Sequence, residues 1–179
     1  MACNLANASE SCSTGTCLLT SCNFGYSNCD GNQSNGCELG HGSAPNTCAS
    51  ATNLGSFGGD AACGFLCTDS PGWTTFATTN GNRSAWYSGR AIETSACFGM
   101  IEHRVTLTVP AGVNYDLYAY SACGTLLASS TAGAGITEQL FVSRSKTALD
   151  DSFNYWIEVR YVSGASCSTW GLTLAGHNC

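Results

Sequence analysis

Between Ile101 and Tyr120 the chain reads IEHRVTLTVPAGVNYDLYAY, with polar and apolar positions alternating on both sides of a Pro-Ala-Gly turn. His103, Val105, Leu107 and Val109 share one face of the first half, and Glu102, Arg104, Thr106 and Thr108 share the other, which is the period of a half-buried β-strand. Beyond the turn, Val113, Tyr115, Leu117 and Ala119 continue an inner face, and Asn114, Asp116, Tyr118 and Tyr120 an outer one. Further strands are predicted over residues 86 to 92, 126 to 130, 137 to 142, 154 to 162 and 169 to 175. Residues 49 to 82 are rich in Gly and Thr, with apolar groups at Leu54, Phe57, Phe65 and Leu66, and are expected to form short strands and loops. No segment carries a helical period. The pattern predicts an all-β fold, a jelly roll or β-sandwich of about eight strands.

Thirteen cysteines change this picture most. No two of them are three residues apart and the histidines (His41, His103, His177) are scattered, so zinc knuckles are not expected and a disulfide framework is. It draws on Cys3, Cys12, Cys17, Cys22, Cys29, Cys37, Cys48, Cys63, Cys67, Cys97, Cys123, Cys167 and Cys179. Disulfides imply an oxidising compartment, and a secreted, extracellular protein is expected. Thirteen is odd, so one sulfur is free, shared with another chain, or separated from its partner. No apolar signal core follows Met1-Ala2-Cys3, and the expectation is an export signal that lies upstream. Six Lys and Arg against twelve Asp and Glu give a formal charge of −6, which argues against nucleic acid and anionic membrane as partners. No apolar run approaches the length of a membrane span, so membrane insertion is not expected.

Residues 1 to 47 hold six of the cysteines and few large apolar side chains, and are expected to form a small module stapled by its own sulfur, with a Cys29–Cys37 bridge closing a short loop. A Gly, Ser and Pro linker from Gly40 to Pro45 leads to the sandwich domain, residues 48 to 179. In the loop NCDGNQSNGCE, oxygen-bearing Asn28, Asp30, Asn32, Ser34 and Glu38 alternate around glycines. Asp30, Asn32 and Glu38 are the candidate metal ligands, with calcium as the cofactor. An Asn-Gly turn held by its own Asx hydrogen bonds uses the same residues. The spacing of Cys12, Cys17, Cys22, Asn23, Gly25, Tyr26, Asn28, Cys29, Asp30, Gly31, Asn32, Asn35, Gly36, Cys37 and Glu38 resembles the cysteine-rich repeat of large secreted myxobacterial proteins. Asn28 stands where that repeat carries Asp. The likeness implies a spacer or stalk and little about activity.

The segment from Trp86 to Gly176 resembles the bacterial pre-peptidase C-terminal β-sandwich. The likeness is carried by VTLTVPAGVNYDLYAY, Glu138, and the inward positions Tyr155, Ile157, Val159, Trp170, Leu172 and Leu174. It implies a jelly roll of eight or nine strands with a non-catalytic role in targeting, adhesion or substrate binding. No G-x-S-x-G and no recognisable histidine motif is present, so no catalytic residue is assigned. With Tyr155, Ile157, Val159 and Tyr161 directed inward, Trp156, Glu158 and Arg160 point outward, as do Tyr118 and Tyr120. If the two strands are neighbours, one face carries Tyr118, Tyr120 and Trp156 framed by Asp116, Glu158, Arg160 and Arg104. Flat rings flanked by charges suit the face of a sugar. The competing reading is that a second sheet covers these rings. The expected partner is an extracellular polymer, a surface glycan or a surface protein. The alternatives are self-association through an unpaired Cys or an edge strand in a structural assembly, and accessory targeting of a secreted hydrolase.

Overall fold

A computed structural model of the protein describes residues 3–12 and 15–179. The first forty residues form two small antiparallel pairs, β1 (Ala8–Ser11) with β2 (Leu18–Cys22) and β3 (Tyr26–Ser27) with β4 (Leu39–Gly40). A single 3-10 turn at Cys48–Ser50 precedes the main body. That body is built from β5 (Thr52–Gly58), β6 (Trp73–Gly81), β7 (Ala85–Ile92), β8 (Met100–Thr108), β9 (Val113–Ala122), β10 (Thr125–Ser130), β11 (Glu138–Ser145), β12 (Phe153–Gly164) and β13 (Trp170–His177). They make a β-sandwich of one five-stranded sheet, ordered β10-β9-β12-β7-β5, and one four-stranded sheet, ordered β11-β8-β13-β6. All pairs are antiparallel except β5 with β7.

The alternation read from the sequence is the alternation of burial. Val105 and Leu107 on β8, Val113, Tyr115, Leu117 and Ala119 on β9, and Tyr155, Ile157 and Val159 on β12 all lie in the core between the sheets. The Pro-Ala-Gly turn does not make a hairpin. It carries the chain from β8 in one sheet to β9 in the other, so the two inner faces meet across the core. Trp170 closes one end, wholly buried, with its indole N–H donated to the Arg83 carbonyl at 3.0 Å. His103, also fully buried, accepts the Tyr155 hydroxyl proton at Nδ1 (2.7 Å) and donates from Nε2 to the Phe57 carbonyl (3.1 Å). Gly89 leaves the space that the Tyr155 hydroxyl occupies, since a Cβ there would stand 2.6 Å from that oxygen.

Five bridges tie the chain: Cys22–Cys37, Cys29–Cys167, Cys48–Cys123, Cys63–Cys179 and Cys67–Cys97. The expected Cys29–Cys37 bridge is not made, and the first six cysteines are not a closed set. Cys37 pairs back to Cys22, while Cys29 reaches 138 residues along the chain to the loop between β12 and β13. Cys3 lies within bonding reach of both Cys12 and Cys17. A sulfur takes one disulfide partner, so this trio makes one bridge and holds the odd thiol of the thirteen.

The segment expected to be a plain linker is stitched into the sandwich. His41 is buried, pairing with the Ser27 hydroxyl at Nε2 (2.8 Å) and donating from Nδ1 to the Asn82 carbonyl (2.9 Å). Its ring stacks on Tyr161 and its carbonyl accepts the Ser84 N–H. Five residues on, the Asn46 amide donates to the Trp86 carbonyl (2.7 Å) and accepts the Trp86 N–H (2.9 Å), clipping the start of β7. His177, two residues past the predicted end of the last strand, ends β13 as a buried side chain bonded to the Pro71 carbonyl.

Candidate functional site

Strands β12 and β9 are neighbours, and their register decides what the outer face of the five-stranded sheet carries. Trp156 lies opposite Tyr120, Glu158 opposite Tyr118 and Arg160 opposite Asp116. On its other side β12 meets β7, with Trp156 opposite Ser88, Glu158 opposite Trp86 and Asn154 opposite Arg90. Because one face of a strand repeats every second residue, these side chains form one surface grid. Six of the seven expected ligand-binding residues come together on it. The seventh, Arg104, does not: it lies on β8 in the opposite sheet, with its guanidinium 4.9 Å from the centre of the Trp73 ring. Alternation assigns a residue to a face of its own strand and is silent about which sheet the strand joins.

No second sheet covers the rings, yet they are not equally open. Tyr120 is buried by its neighbours, with the Trp86 ring 5.3 Å away, while Trp86, Tyr118 and Trp156 are half-buried. Arg160 holds the charged part of the grid together. Its Nε and Nη2 reach the two carboxylate oxygens of Glu158 (3.0 and 2.6 Å), and its guanidinium lies 4.1 Å from the centre of the Tyr118 ring. Tyr120 donates its hydroxyl to Glu158 (2.9 Å) and Tyr118 donates to Asp116 (3.1 Å). Burial and the Glu158 carboxylate push the Tyr120 hydroxyl up to about 12. Burial also raises the Asp116 carboxyl, against the opposing Tyr118 hydrogen bond. This cluster is a rigid, self-satisfied support beside the open rings.

Next to Trp156 the sheet surface drops into a cleft of about 300 Å³ lined by Asn53, Ser56, Ser88, Gly89, Arg90, Asn154 and Trp156. Small Ser88 forms the floor between the indole of Trp156 and the exposed Arg90. Sequence reasoning missed Trp86, Ser88, Arg90 and Asn154. The signal was present, since Tyr87 and Ala91 are buried and alternation turns Trp86, Ser88 and Arg90 outward. Asn53 and Ser56 lie on either side of an irregularity in β5, where the register with β7 shifts, so no simple alternation points to them.

The other sequence candidates are placed elsewhere. In the loop between Cys29 and Cys37, Asn28 accepts the Gly31 N–H, Asp30 the Asn32 N–H and the Asn35 amide, Asn32 the Ser34 N–H, and Glu38 the Cys29 N–H. Oxygens of Asp30 and Asn32 are thus engaged in Asx-type turn bonds and Glu38 in a bond across the loop, and the Asn32 and Asn35 contacts hold the Asp30 carboxyl below its ordinary value. Among the described residues the only grouping of metal-type ligands is the sulfur trio of Cys3, Cys12 and Cys17. Ser27 and His41 form a serine–histidine pair, but both are buried in the seam between module and sandwich.

No family model matches the chain, and no curated protein matches it significantly. No helix among the described residues is long and apolar enough to cross a membrane. Disulfides crossing the chain from end to end are those of an oxidising compartment.

Proposed function

We propose that the protein is an extracellular, non-catalytic binding module that holds a carbohydrate polymer on the outer face of its five-stranded sheet. The observation that carries this reading is the pairing of two half-buried tryptophans, Trp86 and Trp156, one pleat apart on adjacent strands and bordered by a polar cleft. Neither indole N–H has a hydrogen-bond acceptor among the described residues, whereas the buried Trp170 N–H does. A sugar ring presents an apolar C–H face to stack on indole and a rim of hydroxyls to meet amides, serines and the indole N–H. Resemblance to the pre-peptidase C-terminal sandwich fits such a role, including as the targeting module of a secreted hydrolase. Retardation in gels containing soluble polysaccharides tests it. Trp156→Ala and Trp86→Ala each weaken retention by about tenfold or more, as expected for central aromatic anchors, while Phe24→Ala, an exposed ring on the cysteine-rich module, has no effect. Retention that is indifferent to both tryptophans removes the site.

A second reading has its own observation. The edge strand β10 exposes Leu126 and Leu127, and the sulfur trio holds an odd thiol, so copies could join edge to edge or through sulfur in a structural assembly. Covalent multimers on non-reducing gels would favour it.

A further inference from the structure

Two cations stand on the outer face of the five-stranded sheet, and they are in opposite states. Arg160 is clamped by Glu158 at two points and lies over Tyr118. Arg90 is exposed, belongs to no ion pair among the described residues, and makes one long contact, 3.5 Å from its Nη1 to the Asn154 side-chain oxygen Oδ1. A guanidinium has five N–H donors in a planar fork, so Arg90 presents most of its capacity to whatever enters the cleft.

What surrounds it restricts the ligand. Trp156 supplies a flat wall on the neighbouring strand, one pleat away, and the small side chain of Ser88 keeps the floor low. The Asn53 side-chain oxygen Oδ1 already accepts the Gly55 N–H at 2.8 Å, which leaves its side-chain N–H2 as a donor at the cleft edge. Arg90 and the Asn53 amide N–H2 offer donors only, and the hydroxyls of Ser56 and Ser88 beside them can donate or accept. The volume, about 300 Å³, is at the small end of ligand pockets, which run to roughly 1,000 Å³, and suits a sugar unit better than a folded partner.

We propose that this cleft takes a pyranose bearing a carboxylate, a uronate unit of an acidic polysaccharide, with its ring on Trp156 and its carboxylate on the Arg90 fork. The assignment rests on the carbohydrate reading above and adds the charge class of the sugar. A chain of net charge −6 repels polyanions in general, so retention of an acidic polymer reports a local contact.

The test uses the whole chain and three probes: polygalacturonate, the same polymer with its carboxyls reduced to alcohols, and dextran sulfate. Wild-type protein is expected to bind polygalacturonate at least about tenfold more tightly than the reduced polymer, and more tightly than dextran sulfate. Arg90→Gln abolishes the preference, Arg90→Lys restores part of it, and Trp156→Ala weakens both galacturonan forms together. Unchanged melting of Arg90→Gln confirms that the variant is folded. Equal binding of the reduced polymer, full discrimination by Arg90→Gln, or dextran sulfate bound as tightly overturns the uronate assignment and leaves the carbohydrate site standing. Failure to bind these and a panel of neutral polysaccharides removes both.

Discussion

Residues 48 to 179 bury a continuous set of large apolar side chains between two sheets, including Trp170, Tyr115, Tyr155, Leu107, Leu117 and Ile157, all under 2% exposed. Ahead of His41, the cysteine-rich module buries only Ser27, Gly36 and Cys37 among its described residues. Each large side chain taken out of water in the sandwich contributes about 1.5–3 kcal/mol toward the conformational entropy lost on folding. The module has no such source. It limits the freedom of its unfolded chain with sulfur and satisfies its backbone with Asn and Asp turns. Gly36 shows how tightly it is drawn: its φ is +98° and a Cβ there would strike the Ala6 backbone. The difference teaches where function can be placed. A surface that must hold rings in register needs the rigid sheet, and the proposed site lies wholly on the sandwich.

The largest effect that breaks the comparison is loss of the module alone. In the double variant Cys22→Ser, Cys37→Ser, amide hydrogen exchange should show residues 6 to 37 unprotected while β7, β9 and β12 keep their protection. Persistent protection in that segment would mean that hydrogen bonds and docking suffice without sulfur. Next in size is Trp170→Ala. It removes the ring that Tyr87 and Tyr115 meet edge-on and should cost about 3–5 kcal/mol in denaturant unfolding with the bridges intact. A cost below about 1 kcal/mol would show that the core collapses around the gap.

The same contrast explains what the sequence makes legible. Strands β7 to β9 and β11 to β13 follow from alternation because each has one face on the core, whereas the edge strand β10 buries no residue. The predicted 126–130 and 169–175 lie within a residue or two of Thr125–Ser130 and Trp170–His177. The sequence does not set strand β6 apart from its surroundings. Its sequence WTTFATTNG lies at a sheet edge, mixes exposed and half-buried positions, and has a register shift against β13, so the period is blurred. Phe65 and Leu66, apolar groups in a stretch expected to form short strands and loops, are exposed in a loop held by Cys63–Cys179 and Cys67–Cys97. Sulfur partners and the docking of His41 are set by distant segments, and no local pattern carries them. The site was legible as a face, in Tyr118, Tyr120 and Trp156. Its extension to Trp86 and Arg90 follows only from the β7–β12 pairing, and Arg104 falls outside it because β8 belongs to the other sheet, which alternation does not encode.

Acid should separate the two regions more gently. Burial lowers the His103 imidazole from its ordinary 6.5 to about 4, against the Phe57 carbonyl contact that favours its charge. Both ring nitrogens are satisfied in the neutral form, by the Tyr155 hydroxyl and the Phe57 carbonyl. The folded state therefore binds fewer protons than the unfolded chain between those values. Stability is complete above pH 6.5, falls as pH drops toward 4, and levels off below, a loss of roughly 3 kcal/mol. Asp116, whose carboxyl burial raises, acts with the opposite sign, so the clean measure is urea unfolding of wild type against His103→Gln at each pH. The variant should show a flatter profile across that window. Ahead of His41 the module holds no histidine, and there Asp30 is held below 3.8 by its turn bonds, so the stability it contributes is lost only as pH falls through that lower range. Exchange protection of residues 6 to 37 should consequently hold at pH 5 while the sandwich is already weakened. If wild type and His103→Gln keep parallel profiles from pH 7 to 4, the imidazole can charge without leaving the core, and the dry interior that distinguishes the sandwich does not extend to β8.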